Sequence, residues 1–256
     1  MHPWLLPKNN PRYIAWHKSL LKRPAPWNKG KTKLTDAGVK KISETFKESG
    51  IDNFAEWRAQ HKKEYAAISH DADLAELTGV VLGDGHIEKF PRTERLIIVS
   101  NSANYGFINR YRRIVERLFH KKPVCLKVTS ANAVRISIYE KGISKRLQIP
   151  TGSRKKLEYK IPSWIWQNDQ FLLRFLRGLY EAEGCFCVHL PTSTYKMIFT
   201  NMNPFLLDAV FQGLVRFGFH PHTGWNKIQV SRKQEVMDLK KLLQFRDYNL
   251  NAYLGG

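Results

Sequence analysis

Two stretches of the chain repeat one order of residues: Leu77-Thr78-Gly79-Val80-Val81-Leu82-Gly83-Asp84-Gly85 and Leu176-Arg177-Gly178-Leu179-Tyr180-Glu181-Ala182-Glu183-Gly184. Each closes an apolar-periodic run, from Leu74 in the first and Phe171 in the second, so each reads as a helix stopped by a C-terminal glycine. Gly79 and Gly83, like Gly178 and Ala182, fall four apart and share one helical face. A face without side chains lets two backbones approach. The two helices are therefore expected to pack along these strips, with Asp84 and Glu183 side by side at one end. Both acids would face the negative end of a helix dipole and each other, so something cationic should offset them. Adjacent carboxylates with open space in front suit a hard divalent ion such as Mg²⁺, and metals held there activate water and stabilise the leaving oxygen in phosphodiester cleavage. The plainer alternative is two ordinary amphipathic helices with glycine caps and a solvated terminal acid.

On these residues the chain resembles the LAGLIDADG homing endonucleases, in the single-chain form with two motifs. Asp84 and Glu183 occupy the position of the family's metal-binding acids, with the backbone of Gly83 and Ala182 beside them. The first motif departs from the pattern at Leu82, where an acid is usual and where the second keeps Glu181. The resemblance covers about residues 71 to 245. It implies Mg²⁺-dependent hydrolysis of both strands across the minor groove, leaving short 3′ overhangs, with Mn²⁺ substituting and Ca²⁺ binding without cleavage. It also implies a catalytic lysine just past the final strand of a repeat, for which Lys233 and Lys141 stand at equivalent points.

A formal net charge of +20 on 256 residues, with 43% hydrophobic and 12% aromatic residues, indicates a folded protein with a polyanionic partner. An anionic membrane surface would also attract it, but the sequence has no apolar run of transmembrane length and no long basic amphipathic helix. Double-stranded DNA is the better partner, and a monomer the expected state. Cys125, Cys185 and Cys187 lack zinc spacing and read as reduced thiols. A cytoplasmic protein of a prokaryote or phage is expected, with a eukaryotic organelle as the other setting, because no acid precedes Asp36.

Residues 1–70 read as a basic N-terminal extension. Its turn-like run Trp27-Asn28-Lys29-Gly30-Lys31 precedes a helix that Thr35 would cap, with Val39, Ile42 and Phe46 as its apolar positions. This resembles the small nuclease-associated modular DNA-binding repeats, which makes Trp27, Asn28, Lys29 and Lys31 DNA contacts. A second helical piece is expected over 53–65. Residues 71–148 and 169–256 then tell one story twice: helix, two strands, helix, two strands, with a last helix at 234–243 and a basic linker, 149–168, between. Ser100-Asn101 and Thr200-Asn201 fall at matching points. The expected fold is α+β: two pseudo-symmetric αββαββα repeats packed through their motif helices, each with an antiparallel sheet forming a DNA-binding saddle.

Alternation sets Phe186, Val188 and Leu190 toward helices and leaves Cys185, Cys187 and His189 free to face DNA. In the first repeat His86, Glu88, Phe90 and Arg92 take the outward parity. Such a sheet can read base edges in the major groove, and two half-sites one helical turn apart give a site on the order of twenty base pairs. Arg112, Arg113, Lys155 and Lys156 would contact phosphates. The chain starts at Met1 and ends at Gly256 without an intein's terminal His-Asn, so a free-standing or intron-encoded protein is expected. The competing reading is a non-cleaving binder on the same scaffold, either an RNA maturase or a DNA-binding regulator.

Overall fold

The computed structural model describes residues 3–50, 52, 54–60, 65, 67–152 and 158–248. The chain divides into two compact units, Met1–Glu64 and Tyr65–Gly256.

The first unit holds a short 3₁₀ turn and helices α1 (Pro11–Leu21), α2 (Ala37–Glu48) and α3 (Ala55–Gln60). Helix α1 was not foreseen, although Asn10 accepts from Arg12 N and Pro11 stands at the first helical position. Asp36, not Thr35, caps α2: its carboxylate accepts from Val39 N at 3.0 Å, while the Thr35 hydroxyl oxygen accepts from Thr32 N one turn earlier. No described residue of this unit is buried.

The second unit begins with α4 (Ala72–Gly83), which Asp71 caps by accepting from Leu74 N at 2.8 Å. Strands β1 (His86–Lys89) and β2 (Glu94–Asn101), helix α5 (Tyr105–Phe119), strands β3 (Val124–Val128) and β4 (Ala133–Glu140) and the short helix α6 (Ile143–Leu147) complete the first repeat. After a one-turn helix α7 (Ser163–Trp166), the second repeat runs α8 (Asp169–Glu183), β5 (Gly184–His189), β6 (Thr194–Thr200), α9 (Pro204–Arg216), β7 (His222–Gly224), β8 (Lys227–Val230) and α10 (Lys233–Leu242). The sheets have matching orders, β1-β2-β4-β3 and β5-β6-β8-β7, and every neighbouring pair is antiparallel. This is the expected α+β duplication.

Alternation explains how each sheet faces. Ile87, Leu96, Ile98, Ile136 and Ile138 in one sheet, and Met197, Phe199, Ile228 and Val230 in the other, are buried on the side that meets the helices. Residues of opposite parity point away. The strip between repeats is not only a surface crossing, because Ile149, Tyr159 and Ile165 join the core and the Tyr159 hydroxyl donates to Gln148 O at 2.9 Å. Leu190 does not continue β5; it opens a 3₁₀ turn and is exposed. Leu74 through Leu82 are all buried, since α4 is enclosed by its sheet, α5 and α8.

The glycine strips let α4 and α8 meet backbone to backbone. An ideal Cβ on Gly79 would sit 2.2 Å from Phe175 O, and one on Gly178 would sit 2.2 Å from Glu76 O and 2.8 Å from Val80 N. Gly85 and Gly184 follow the helices for another reason than the expected left-handed cap. Neither has a positive φ, and Asp84 and Gly184 are the cap residues. A Cβ at Gly85 would lie 2.6 Å from Val81 Cα, and one at Gly184 2.3 Å from Tyr180 O, because the chain folds back over its own last turn to enter the sheet.

Along the helix pair, from the first turns of α4 to Glu181 in the last turn of α8, runs a buried charge network. Glu76, fully buried on α4, accepts from Arg110 Nε and Nη2, from Arg174 Nε and, at 3.1 Å, from the Tyr111 hydroxyl. Arg174 Nη2 also donates to Asp73 at 2.5 Å, and Arg117 donates to Asp71 and Asp73. Arg177 donates to Gln244 and to Asp247 O, while Glu181 accepts from Arg246 N and the Tyr248 hydroxyl. The last described segment is thereby clasped to α8. Burial alone would raise the Glu76 carboxyl, but Arg110, Arg174 and Arg177 hold it below its ordinary value.

Two outcomes follow from this packing. Gly79→Ala or Gly178→Ala forces two backbones apart and costs at least about 2 kcal/mol, lowering the melting temperature by roughly 5 °C or more; unchanged melting would refute the close approach. Because the Glu76 pKa is depressed, its contribution is complete above the ordinary value of 4.5 and is lost as pH falls through the folded value. Glu76→Gln leaves buried guanidinium groups uncompensated and destabilises by about 3–5 kcal/mol at pH 7. In a denaturant series, the wild-type loss of stability below pH 4.5 should be shallower in the variant.

Candidate active site and nucleic-acid interface

The end of the α4–α8 pair is where the two acids meet. Gly83 lies against Ala182 so closely that a Cβ there would be 2.6 Å from Ala182 Cβ and 3.3 Å from Glu183 Cγ. Asp84, the residue after α4, is exposed, and Glu183, the last of α8, is half-buried. Burial raises the Asp84 pKa; burial and then the charge of Asp84 raise that of Glu183. Among the described residues no Lys, Arg or His forms an ion pair with either acid.

The polar partner found is Asn201, whose Nδ2 donates to Glu183 Oε1 at 3.4 Å. Its Oδ1 accepts from Asn203 N at 2.8 Å, as that of Asn101 does from Ala103 N at 2.9 Å, so the matched asparagines of the sequence are equivalent turns after β6 and β2. Among the described residues no group of three or more His, Cys, Asp and Glu side chains could hold a metal. Two carboxylates at a repulsive cost, without an ion pair among the described residues, nevertheless fit a hard divalent ion, which is commonly held by one or two carboxylates and completed by phosphate oxygens and water.

Next to the acids, each sheet turns its second face away from the helices. On the first, His86 and Glu88 lie outward by register. Phe90 follows the strand but sits over the same surface, 6.1 Å from the Tyr139 ring. Arg92 is in the exposed β1–β2 turn rather than on a strand. The register Glu88↔Arg95↔Tyr139 assembles a cluster that sequence reading missed. Arg95 donates to Glu88 and, at 2.8 Å, to the Tyr139 hydroxyl, and its guanidinium lies 5.6 Å from the Phe90 ring. Arg135, Leu126 and Val124 share this face. On the second sheet the outward residues are Cys185, Cys187 and His189 with Lys196, Lys227, Gln229 and His222, while Phe186 and Val188 take the helix-side parity.

Other predicted residues fall elsewhere. Arg112 and Arg113 belong to α5, behind the sheet. Arg112 acts on Cys125, which pairs with buried Ile136 and shares its helix-side face. Arg113 lines a cavity of about 340 Å³ with Asp73, Arg110, Arg117 and Tyr248, at the end of α4 away from Asp84. Both lie off the outward surface, as expected of basic residues outside the sheets, because they belong to α5. Lys233 opens α10 with its ammonium 5.0 Å from the Tyr195 ring. Tyr195 pairs with Val188, four residues along β5 from Gly184, so Lys233 stands about 13 Å along the sheet from the acid end. Lys141 follows Glu140, which pairs with Glu94, whereas Asp84 precedes the His86↔Ile97 pair; the two occupy different ends of the first sheet. Lys155 and Lys156 lie outside the described residues.

Within the N-terminal unit, the Trp27–Gly30 turn leaves the indole exposed, with Lys31 Nζ 5.4 Å from its ring and 2.9 Å from Asp36. Asn28 O accepts from Lys31 N at 3.1 Å and Pro26 O from Lys29 N at 2.9 Å. Lys29 is exposed. Among the described residues no helix is long and apolar enough to cross a membrane.

Comparison with protein-family models and with curated proteins gives no match. Among solved structures the chain is similar to mesophilic variants of the homing endonuclease I-DmoI, at 16% identity and a TM-score of 0.47 over 67% of this chain and 94% of that one. It is similar to I-DmoI in complex with DNA and Mn, at 16% and 0.45 over 67% and 96%. The N-terminal LAGLIDADG domain of DUF199/WhiA is similar at 12% and 0.47 over 67% and 80%. Likenesses of this size assign no residue roles. The paired strand orders, the glycine-lined helix pair and the two acids at its end are this chain's own, and they make it a two-repeat α+β fold.

Proposed function

We propose that this chain is a site-specific double-strand DNA homing endonuclease that hydrolyses one phosphodiester on each strand with divalent metal, leaving short 3′ overhangs. The observation that carries it is the meeting of Asp84 and Glu183, two acids both held above their ordinary pKa, Glu183 partly by the charge of Asp84, with no ion pair among the described residues. A binding surface alone gives no reason to crowd two carboxylates there. The net charge of +20 favours a nucleic-acid partner.

Asp84 and Glu183 would hold the metal, one acid serving each strand, with the backbone of Gly83 and Ala182 close by. The chemistry such an ion would supply at these two carboxylates is activation of water and offsetting of charge on the leaving oxygen. Asn201 orients Glu183 by donating to it. The outward sheet faces combine donors and acceptors, such as Arg135, Lys196 and Gln229, with exposed apolar groups such as Val99 and Leu126. That mixture suits base edges and thymine methyl groups. Different side chains on the two faces make the preferred site asymmetric. Trp27, Asn28, Lys29 and Lys31 would add contacts outside it. Lys233 and Lys141 have no part in this reading, because their positions remove them from the acids.

The first test is Mg²⁺-dependent cleavage of a pool of randomised duplexes, with the recovered ends sequenced. One long asymmetric site with staggered ends is expected from the wild type, and Asp84→Asn or Glu183→Gln should lose strand cleavage by a factor of about 10² or more. Cleavage unchanged in both variants would remove these acids from the site, and binding of the pool with no ends recovered would turn the reading to a non-cleaving binder.

A second test needs no DNA. The raised pKa of both acids means that the metal-free fold is stabilised by protonating them, and that stabilisation is lost as pH rises through their folded values. The Asp84→Asn/Glu183→Gln double variant should therefore melt above wild type at pH 7 in chelator. Added Mg²⁺ or Ca²⁺ should raise only the wild-type melting temperature, increasingly so from acid to neutral pH. Equal metal responses in both proteins would count against the site.

A further inference from the structure

The second sheet holds a pair of exposed thiols just past the acids. Cys185 and Cys187 alternate on β5, so both thiols stand on the outward face, exposed, with their Sγ atoms 3.1 Å apart. Lys196 is directly opposite Cys187. The thiols belong to no metal-binding group of three or more side chains among the described residues. We propose that Cys185 and Cys187 form a dithiol modification site that reacts with a low-molecular-weight disulfide of the glutathione class, closing to an intrastrand disulfide that weakens DNA binding by the second sheet.

Residues two apart on a strand have Cα atoms about 6.6 Å apart, near the upper limit of roughly 6.8 Å that a disulfide spans. The bond can form, but at the edge of its reach, which makes it readily reduced and so reversible. One cysteine, as thiolate, attacks a sulfur of the reagent and expels one small thiol, leaving a mixed disulfide. The second cysteine, already in contact, attacks the protein-bound sulfur and expels the other. Two protein S–H bonds and the reagent's S–S bond are replaced by one protein S–S bond and two S–H bonds on the released thiols, the reagent taking up the two electrons. Closure ties together two side chains on the face assigned to base contact, directly after Glu183 and Gly184. This last step rests on the DNA reading given above; the covalent step does not.

The test uses the full chain carrying Cys125→Ser, which removes the one other thiol. After incubation with glutathione disulfide, intact mass and peptide mapping should show the loss of two hydrogens confined to the peptide holding both cysteines, fully reversed by dithiothreitol. Adding Cys185→Ser or Cys187→Ser should instead stop the reaction at one glutathionyl adduct. A persistent adduct, or no reaction, with both cysteines present would overturn the site. Oxidised and reduced chains are then compared on one duplex in Ca²⁺, where a fall in affinity on the order of tenfold is expected, the size of one disrupted base-pair contact. Equal affinity would overturn the effect on binding. If the reduced chain bound no duplex at all, that effect would fall together with the DNA reading, while the mass measurements would still decide the dithiol site.

Discussion

The rest of the second unit depends on two missing side chains. Because Gly79 and Gly178 lack a Cβ, α4 and α8 rest backbone on backbone, and each helix leads directly into the first strand of its own sheet. The contact fixes where both helices end. One residue after α4 and the last residue of α8 come together, so the separation of the two acids is set by the packing of the helices that carry them. Gly85 and Gly184 extend the same economy of atoms, letting each chain turn over the last helical turn and enter its sheet immediately.

The helix pair is duplicated in pattern but not in chemistry. Glu76 on α4 has its counterpart in Phe175 on α8, and Glu181 on α8 has its counterpart in Leu82 on α4, all of them buried. Charge is thereby concentrated on one side of the pseudo-symmetric seam. Glu76 gathers Arg110, Arg174 and Arg177 from two other helices, and Glu181 takes hold of Arg246 N and Tyr248. Such groups are costly to bury and costlier to leave unpaired, so they specify one arrangement of α4, α5, α8 and the last described segment. The position where the first motif lacks an acid is thus a structural clasp in the second. Asp84 and Glu183 contrast with it, because among the described residues neither has an ion pair and Glu183 has only the Asn201 amide as a side-chain donor.

How far the sequence could be read depended on what each feature requires. The motif helices, the helix after each first strand pair, and the strand pairs were legible because period and parity are local properties of the chain. So was the meeting of the acids, since residues four apart must share a helix face. Helix α1 was missed despite its Asn10 and Pro11 signals, and the linker's Ile149, Tyr159 and Ile165 were not recognised as core. The lysine assignments depended on where the neighbouring elements lie. Arg112 and Arg113 sit on α5, off the sheets as expected, while Lys233 opens α10 rather than standing beside the acids.

The sequence by itself determined the duplication, the parity of each strand and the small-residue strip that brings Asp84 to Glu183, because these follow from helix and strand repeats over a few residues. Tertiary structure alone decided the cross-strand register that builds the Glu88, Arg95 and Tyr139 cluster, the contact of Asn201 with Glu183, and the partners of Glu76. Those contacts join residues distant along the chain, and their energies depend on burial and on shared protons and charges that exist only once the layers have closed.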